Sequence, residues 1–125
     1  IMINNKRVLV VVPARGGSKG IELKNLTMLN GKPLVAIVAD VVKCLDFVDR
    51  AVVSTDHHEI ARVAKLSGLD VPFMRPEKLS GDFVADIPVI THALFEVETI
   101  DNKMSDIIVM LVILFIIKIQ SQQLH

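Results

Sequence analysis

Tryptophan and tyrosine are absent from this sequence, and its five phenylalanines are scattered singly. Single-stranded nucleic acid is gripped largely by aromatic side chains on which bases stack, so that class of partner has no platform here. Net charge is missing too: fourteen basic and fourteen acidic residues cancel. No global field therefore draws the chain to nucleic acid or to an anionic membrane surface. A lone cysteine, Cys44, excludes an internal disulfide and suits a reducing compartment. It falls in an apolar helical pattern, where the expectation is a buried thiol rather than a nucleophile. Crossing a bilayer takes about 18 to 20 apolar residues, and the longest run, Ile107 to Ile117, has only eleven. No membrane partner is expected. The first apolar run, Val8 to Val12, is shorter than a secretory core segment and ends in Pro-Ala-Arg, so no leader is expected and the cytoplasm is the default.

What is present is an apolar content of 51% in 125 residues, ample for the core of one domain at most. The informative stretch is Pro13 to Asn25. It follows Val8 to Val12, whose unbroken apolar character between Lys6-Arg7 and Pro13 reads as a buried parallel strand. Gly16, Gly17 and Gly20 are expected to allow positive φ and a close backbone approach, so that successive N–H groups converge on an anion. Arg15, Lys19 and Lys24 add positive charge, while Ser18 and Asn25 add neutral hydrogen-bonding groups. A basic solvated turn is the plainer alternative, but it needs neither three glycines nor three cations. The common phosphate loops fail on spacing: there is no Gly, four residues, then Gly-Lys-Ser/Thr, and no Gly-x-Gly-x-x-Gly opening into a helix.

Further along, Leu34, Val35, Ile37, Val38, Val41, Val42 and Leu45 recur at the spacing of one helical face, with Pro33 at its start. A strand is expected at Arg50 to Ser54, and a helix from about His57 to Ser67 that stops at Gly68 with Ile60, Val63 and Ala64 inward. A short strand follows near Val71 to Met74, then a polar loop from Arg75 to Asp86. A third helix carries Ile87, Ile90, Ala93, Leu94 and Val97 on one face, and Ile107 to Leu111 reads as a central strand. Strands alternating with helices imply an α/β fold with a parallel sheet, whose ligands sit beyond the carboxyl ends of the strands. The loops Ala14–Asn25 and Arg75–Asp86 then share one edge and can face one pocket. His57-His58-Glu59 invites a zinc reading, yet the position that would complete a His-Glu-x-x-His set is Arg62, so a helix-start cluster is preferred. Asp56 either contacts nucleotide or caps this helix, with capping preferred. His92 is read as packing or hydrogen-bonding rather than catalytic.

Ala14-Arg15-Gly16-Gly17-Ser18-Lys19-Gly20-Ile21, then Lys24-Asn25 and Gly31-Lys32-Pro33-Leu34, resembles the signature of the acylneuraminate (CMP-sialic acid) cytidylyltransferases. Val53-Ser54-Thr55-Asp56, Arg75-Pro76 with Leu79-Ser80-Gly81-Asp82, His92-Ala93-Leu94 and Asp106 to Leu111 continue the match in order. The Kdo cytidylyltransferases share the opening strand and Ala-Arg-Gly but usually not the continuation. The resemblance implies a Rossmann-like nucleotidyltransferase domain, here the N-terminal part of one. Its reaction forms a CMP-sugar and pyrophosphate from CTP and a nonulosonic acid. A CMP-Kdo-type synthetase and a non-catalytic nucleotide-binding fragment are the alternatives.

Carried over, the resemblance assigns Arg15, Ser18, Lys24 and Asn25 to the triphosphate and Arg75 to the cytidine end, with Ala14, Gly16 and Gly17 in the same loop. Arg15 and Lys24 are the expected catalytic pair. Lys19 is either a second phosphate ligand or a solvated lysine. Asp82 and Asp86 belong to a second loop in which Phe83, Val84, Ala85 and Asp86 depart from the family's smaller, hydroxyl-bearing residues. Glu22, where the family often has Pro, would oppose phosphate unless it points away or pairs with a cation. The resemblance also implies Mg²⁺, whose ligands, with much of the sugar pocket and dimer contacts, are expected beyond the matching stretch. Residues 1–111 are thus read as nucleotide-binding, and 112–125 as an atypical apolar tail standing where the family has a Gln-Pro-Thr-Ser-Pro-type loop.

Overall fold

The structure is a computed structural model, and it describes residues 5–17 and 23–112. Three parallel strands form the sheet: β1 (Val8–Pro13) in the centre, β4 (Arg50–Ser54) on one side and β5 (Ile107–Met110) on the other. Leu9 pairs with Arg50 and Val8 with Ile107, and the register runs on from there without a break. Val8 to Val12 are wholly buried. That is why β1 reads as a continuous apolar run rather than an alternating one: both faces are covered.

Alternation along β1 divides the core. Val10 and Val12 face one layer, made by α1 (Leu34–Lys43) and α2 (His58–Leu66), with Val35, Val38 and Ile60 packed in it. Leu9 and Val11 face the opposite layer, where α3 (Asp86–Asp101) contributes Ala93 and Val97. Burial of a side chain of this size is worth about 1.5–3 kcal/mol, so the two layers carry the stability of the sheet. At the amino end of the sheet, Asp101 accepts hydrogen bonds from Arg7 Nη2 at 3.3 Å and Arg50 Nε at 2.8 Å. Arg50 also reaches Asp70, so the end of α3 is tied to the chain entering β1 and to β4.

Three expectations are corrected, and one element is added. No strand forms at Val71 to Met74: the chain meets β4 at a single bridge just ahead of this segment, Val52 with Asp70, and Pro72 has no N–H with which to continue a ladder. A small antiparallel hairpin, β2 (Met28–Leu29) and β3 (Lys32–Pro33), escaped the sequence reading. Its turn residues Asn30 and Gly31 have φ of 52° and 80°, the paired positive values that make Asn-Gly a hairpin signal. On α3 the inward stripe is Val89, Ala93 and Val97, whereas Ile87 is largely exposed. Cys44, expected to be buried, is exposed just after α1. The expectations for Ile113 to His125 lie outside the described residues.

Candidate functional site

Because β1 and β4 are parallel, their carboxyl ends open on one edge, and the chain leaving each is pinned there. Ala14 N–H donates to the Ser54 carbonyl at 2.9 Å, which carries β1 one step beyond its last paired residue. Gly16 is then fixed through the peptide units on either side of it. Its N–H donates to Asp56 Oδ1 at 2.7 Å, and its carbonyl accepts from Leu23 N–H at 2.9 Å. A Cβ on Gly16 would lie 2.9 Å from the Cβ of His57. Close approach is thus what glycine provides here. The expected positive φ is found neither at Gly16 nor at Gly17, and Leu23 adopts it instead, at 53°.

From Leu23 the chain enters a 3-10 turn, Lys24–Leu26, in which Asn25 is buried and its Nδ2 donates to the Arg15 carbonyl at 2.9 Å. The second loop is fastened to β4 in the same way. Arg75 N–H donates to the Thr55 carbonyl at 2.7 Å. Its Nε donates to Ser54 Oγ at 3.0 Å and its Nη2 to the Ser54 carbonyl at 2.8 Å. Arg75 is 5% exposed, and among the described residues no carboxylate lies within ion-pair distance of it. Burial pushes the Arg75 guanidinium below its ordinary pKa; the neighbouring Asp56 opposes this and the charge of Arg15 adds to it. Arginine keeps its proton regardless, so a buried cation is hydrogen-bonded to neutral partners, with the opposite charge of Asp56 and the like charge of Arg15 in its neighbourhood.

Between the two loops lies a cleft of about 160 Å³. Arg15, Lys24 and Asn25 line it from the first loop, Arg75, Asp82 and Asp86 from the second, with Leu79, Val84, Val89 and Val112 as apolar wall. Arg15 Nη1 meets Asp82 Oδ1 at 2.7 Å, and Asp86 opens α3 at the rim. The arrangement suits a multiply charged anion: three cations on two separate loops, with the positive end of a helix beside them.

Of the expected site residues, Arg15, Lys24, Asn25, Arg75, Asp82 and Asp86 come together in the cleft. Ala14 is buried beneath it, and Gly16 and Gly17 do not line it. Ser18 and Lys19 lie outside the described residues. Asp56 neither lines the cleft nor caps α2. The cap is His57, whose Nδ1 accepts from Glu59 N–H at 3.2 Å. His92 packs edge-to-face on Phe73 with centroids 5.2 Å apart, in keeping with a packing role. Ser54 and Thr55 are the anchors that sequence reading passed over. The signal was a strand ending in two hydroxyl residues that turn out to be fully buried.

A family model described as cytidylyltransferase matches residues 9–108, the stretch holding every cleft residue but Val112. The chain belongs to the cytidylyltransferase family. It is 39% identical over 95 residues to CMP-N,N'-diacetyllegionaminic acid synthase of Legionella pneumophila subsp. pneumophila, covering 76% of this chain and 41% of the relative. It is 34% identical over 88 residues to N-acylneuraminate cytidylyltransferase of Escherichia coli O18:K1:H7, covering 70% of this chain and 21% of the relative. This chain thus spans less than half the length of these curated relatives. Among solved structures, CMP:2-keto-3-deoxy-manno-octonic acid synthetase complexed with CTP is similar with a TM-score of 0.66 at 22% identity, covering 86% of this chain and 40% of that one. At that identity the likeness establishes the shared Rossmann-like α/β fold. Among the described residues no helix is long and apolar enough to cross a membrane.

Proposed function

We propose that the cleft binds the triphosphate of CTP, and that the chain carries the nucleotide side of a transfer from CTP to a nonulosonic acid. The observation that supports this above all is the convergence of Arg15 and Lys24 from the first loop with the buried Arg75 from the second on one cleft. In the transfer, an acceptor hydroxyl oxygen bonds to the α-phosphorus while the bond to the bridging oxygen breaks. The hydroxyl proton is released and pyrophosphate carries away the displaced charge. Arg15 and Lys24 neutralise that charge, and Arg75 holds the nucleoside end. The acceptor class rests on the names of the relatives, one a diacetyllegionaminic and the other an acylneuraminic acid enzyme. Mg²⁺ is part of the proposal only as an expectation from the resemblance. No group of three metal-ligating side chains forms among the described residues.

The test is calorimetry with CTP and with inorganic triphosphate, together with pyrophosphate release in the presence of CTP, Mg²⁺ and a nonulosonic acid. Losing a charge-assisted hydrogen bond costs about 1.5–3 kcal/mol, so Arg15→Ala and Lys24→Ala should each weaken CTP by about tenfold or more. Arg75→Ala should weaken CTP more than inorganic triphosphate. Unchanged CTP affinity in folded Arg15→Ala and Lys24→Ala proteins would sink the assignment. Equal losses for both ligands would move Arg75 to the phosphates.

A further inference from the structure

We infer that Asp56 is a positioning residue whose carboxylate holds the Gly16 peptide and thereby sets where Arg15 and Lys24 stand in the cleft. The inference rests on the anion-binding reading of that cleft. Asp56 does not line it. Its Oδ1 accepts the Gly16 N–H at 2.7 Å, so this N–H, which a phosphate loop would be expected to turn toward its anion, is turned toward the protein instead. The next residue, His57, closes the same spot sterically, since it stands within 2.9 Å of where a Gly16 side chain would begin.

From Gly16 the constraint spreads through the peptide units on either side of it. The Gly16 carbonyl receives Leu23 N–H at 2.9 Å, which opens the 3-10 turn carrying Lys24. The residue before it, Arg15, has its carbonyl bonded by Asn25 of that same turn. Both cleft cations of the first loop are therefore within one residue of a group that depends on the Gly16 peptide. Asp56 is the bond from that peptide to the body of the fold, at the end of β4, where Ser54 and Thr55 hold Arg75. What Asp56 supplies is an acceptor oxygen, not a charge for the ligand; the charge of a carboxylate this close to the cleft works against an anion.

Asparagine keeps the acceptor oxygen and removes the charge, whereas alanine removes both. Asp56→Asn, Asp56→Ala and the unaltered chain would be titrated with inorganic triphosphate by calorimetry, and their amide hydrogen exchange read at Gly16 and Leu23. Asp56→Ala is expected to bind about tenfold more weakly, the loss of one charge-assisted hydrogen bond, and to lose protection at both amides. Asp56→Asn is expected to bind as tightly as the unaltered chain or more so, with protection kept. If asparagine binds as poorly as alanine, the charge itself matters and the inference is overturned. It is overturned equally if alanine binds normally, or if its Gly16 and Leu23 amides stay protected. An unaltered chain that does not bind triphosphate would bring down the reading of the cleft, while the exchange data would still decide whether Asp56 holds the loop.

Discussion

Gly16 shows how much of a binding loop can hang on one missing side chain. Its backbone is ordinary in φ, yet a methyl group there would meet the Cβ of His57 at 2.9 Å, backed by the start of α2 rather than by a mobile chain end. Gly16→Ala should therefore cost about 1–3 kcal/mol, as overpacking typically does, and weaken triphosphate binding by shifting the loop. Gly17, with nothing among the described residues within 4 Å of its added Cβ, should accept alanine with less loss than Gly16. Urea denaturation of the two variants compares them directly. Equal stability would mean that the loop yields to His57 and that the close contact is not a constraint. The two glycines look equivalent in sequence, since the difference depends on His57, forty-one positions away from Gly16.

Among the elements, α3 is the one whose placement depends most on charge. Its inward stripe is narrow and made of small residues, Val89, Ala93 and Val97. Its last residue, Asp101, joins Arg7 ahead of β1 to Arg50 at the start of β4, with its side chain only 17% exposed. Removing the carboxylate leaves two half-buried guanidinium groups short of a partner. Asp101→Ala is accordingly expected to destabilise by about 1–3 kcal/mol, more than an exposed pair contributes and less than a fully buried one. A loss under about 0.5 kcal/mol in urea denaturation would class the network as solvated. The helix itself was legible from its apolar spacing. Its true inward face was not, because Ile87, Ile90 and Leu94 form an apolar stripe that rivals Val89, Ala93 and Val97, and only the position of the sheet decides between them.

For the molecule as a whole, the two edges of the sheet are not alike. The outer side of β4 is partly covered by the chain from Asp70 to Arg75, through Val53 N–H to the Asp70 carbonyl and Arg75 N–H to the Thr55 carbonyl. The outer side of β5 pairs with no strand among the described residues. Ile107 and Leu111 donate to β1 and the residue ahead of it, so the alternation of a parallel strand turns the N–H groups of Ile108 and Met110 outward. Such an edge is a template for another strand. Sedimentation at rising concentration should show self-association, and Met110→Pro should suppress it, because proline removes an outward donor while leaving the bonds to β1 in place. Association unaffected by this change would place the contact elsewhere.

The amino-acid sequence by itself determined the α/β class, the central β1, the strand at β4, the starts of α1 and α2, and the two cation-bearing loops. Each rests on a local pattern: an unbroken apolar run, a 3.6-residue spacing, a proline or glycine at an element end. The motif order also carried the family, since it needs only residues in sequence. What only the tertiary structure decided was the pairing of groups distant along the chain. Arg75 became a buried cation because Ser54 and Thr55 receive it. Asp82 faces Arg15, and Asp56 turned from a helix cap into the holder of Gly16. Val71 to Met74 failed as a strand although its composition suited one, because a ladder needs donors in register and Pro72 has none to give. Patterns within one element are set by short-range sterics and by which side faces water, and these are written locally. The partner of a given hydrogen bond is set by where the sheet brings two loops together, which no single stretch records.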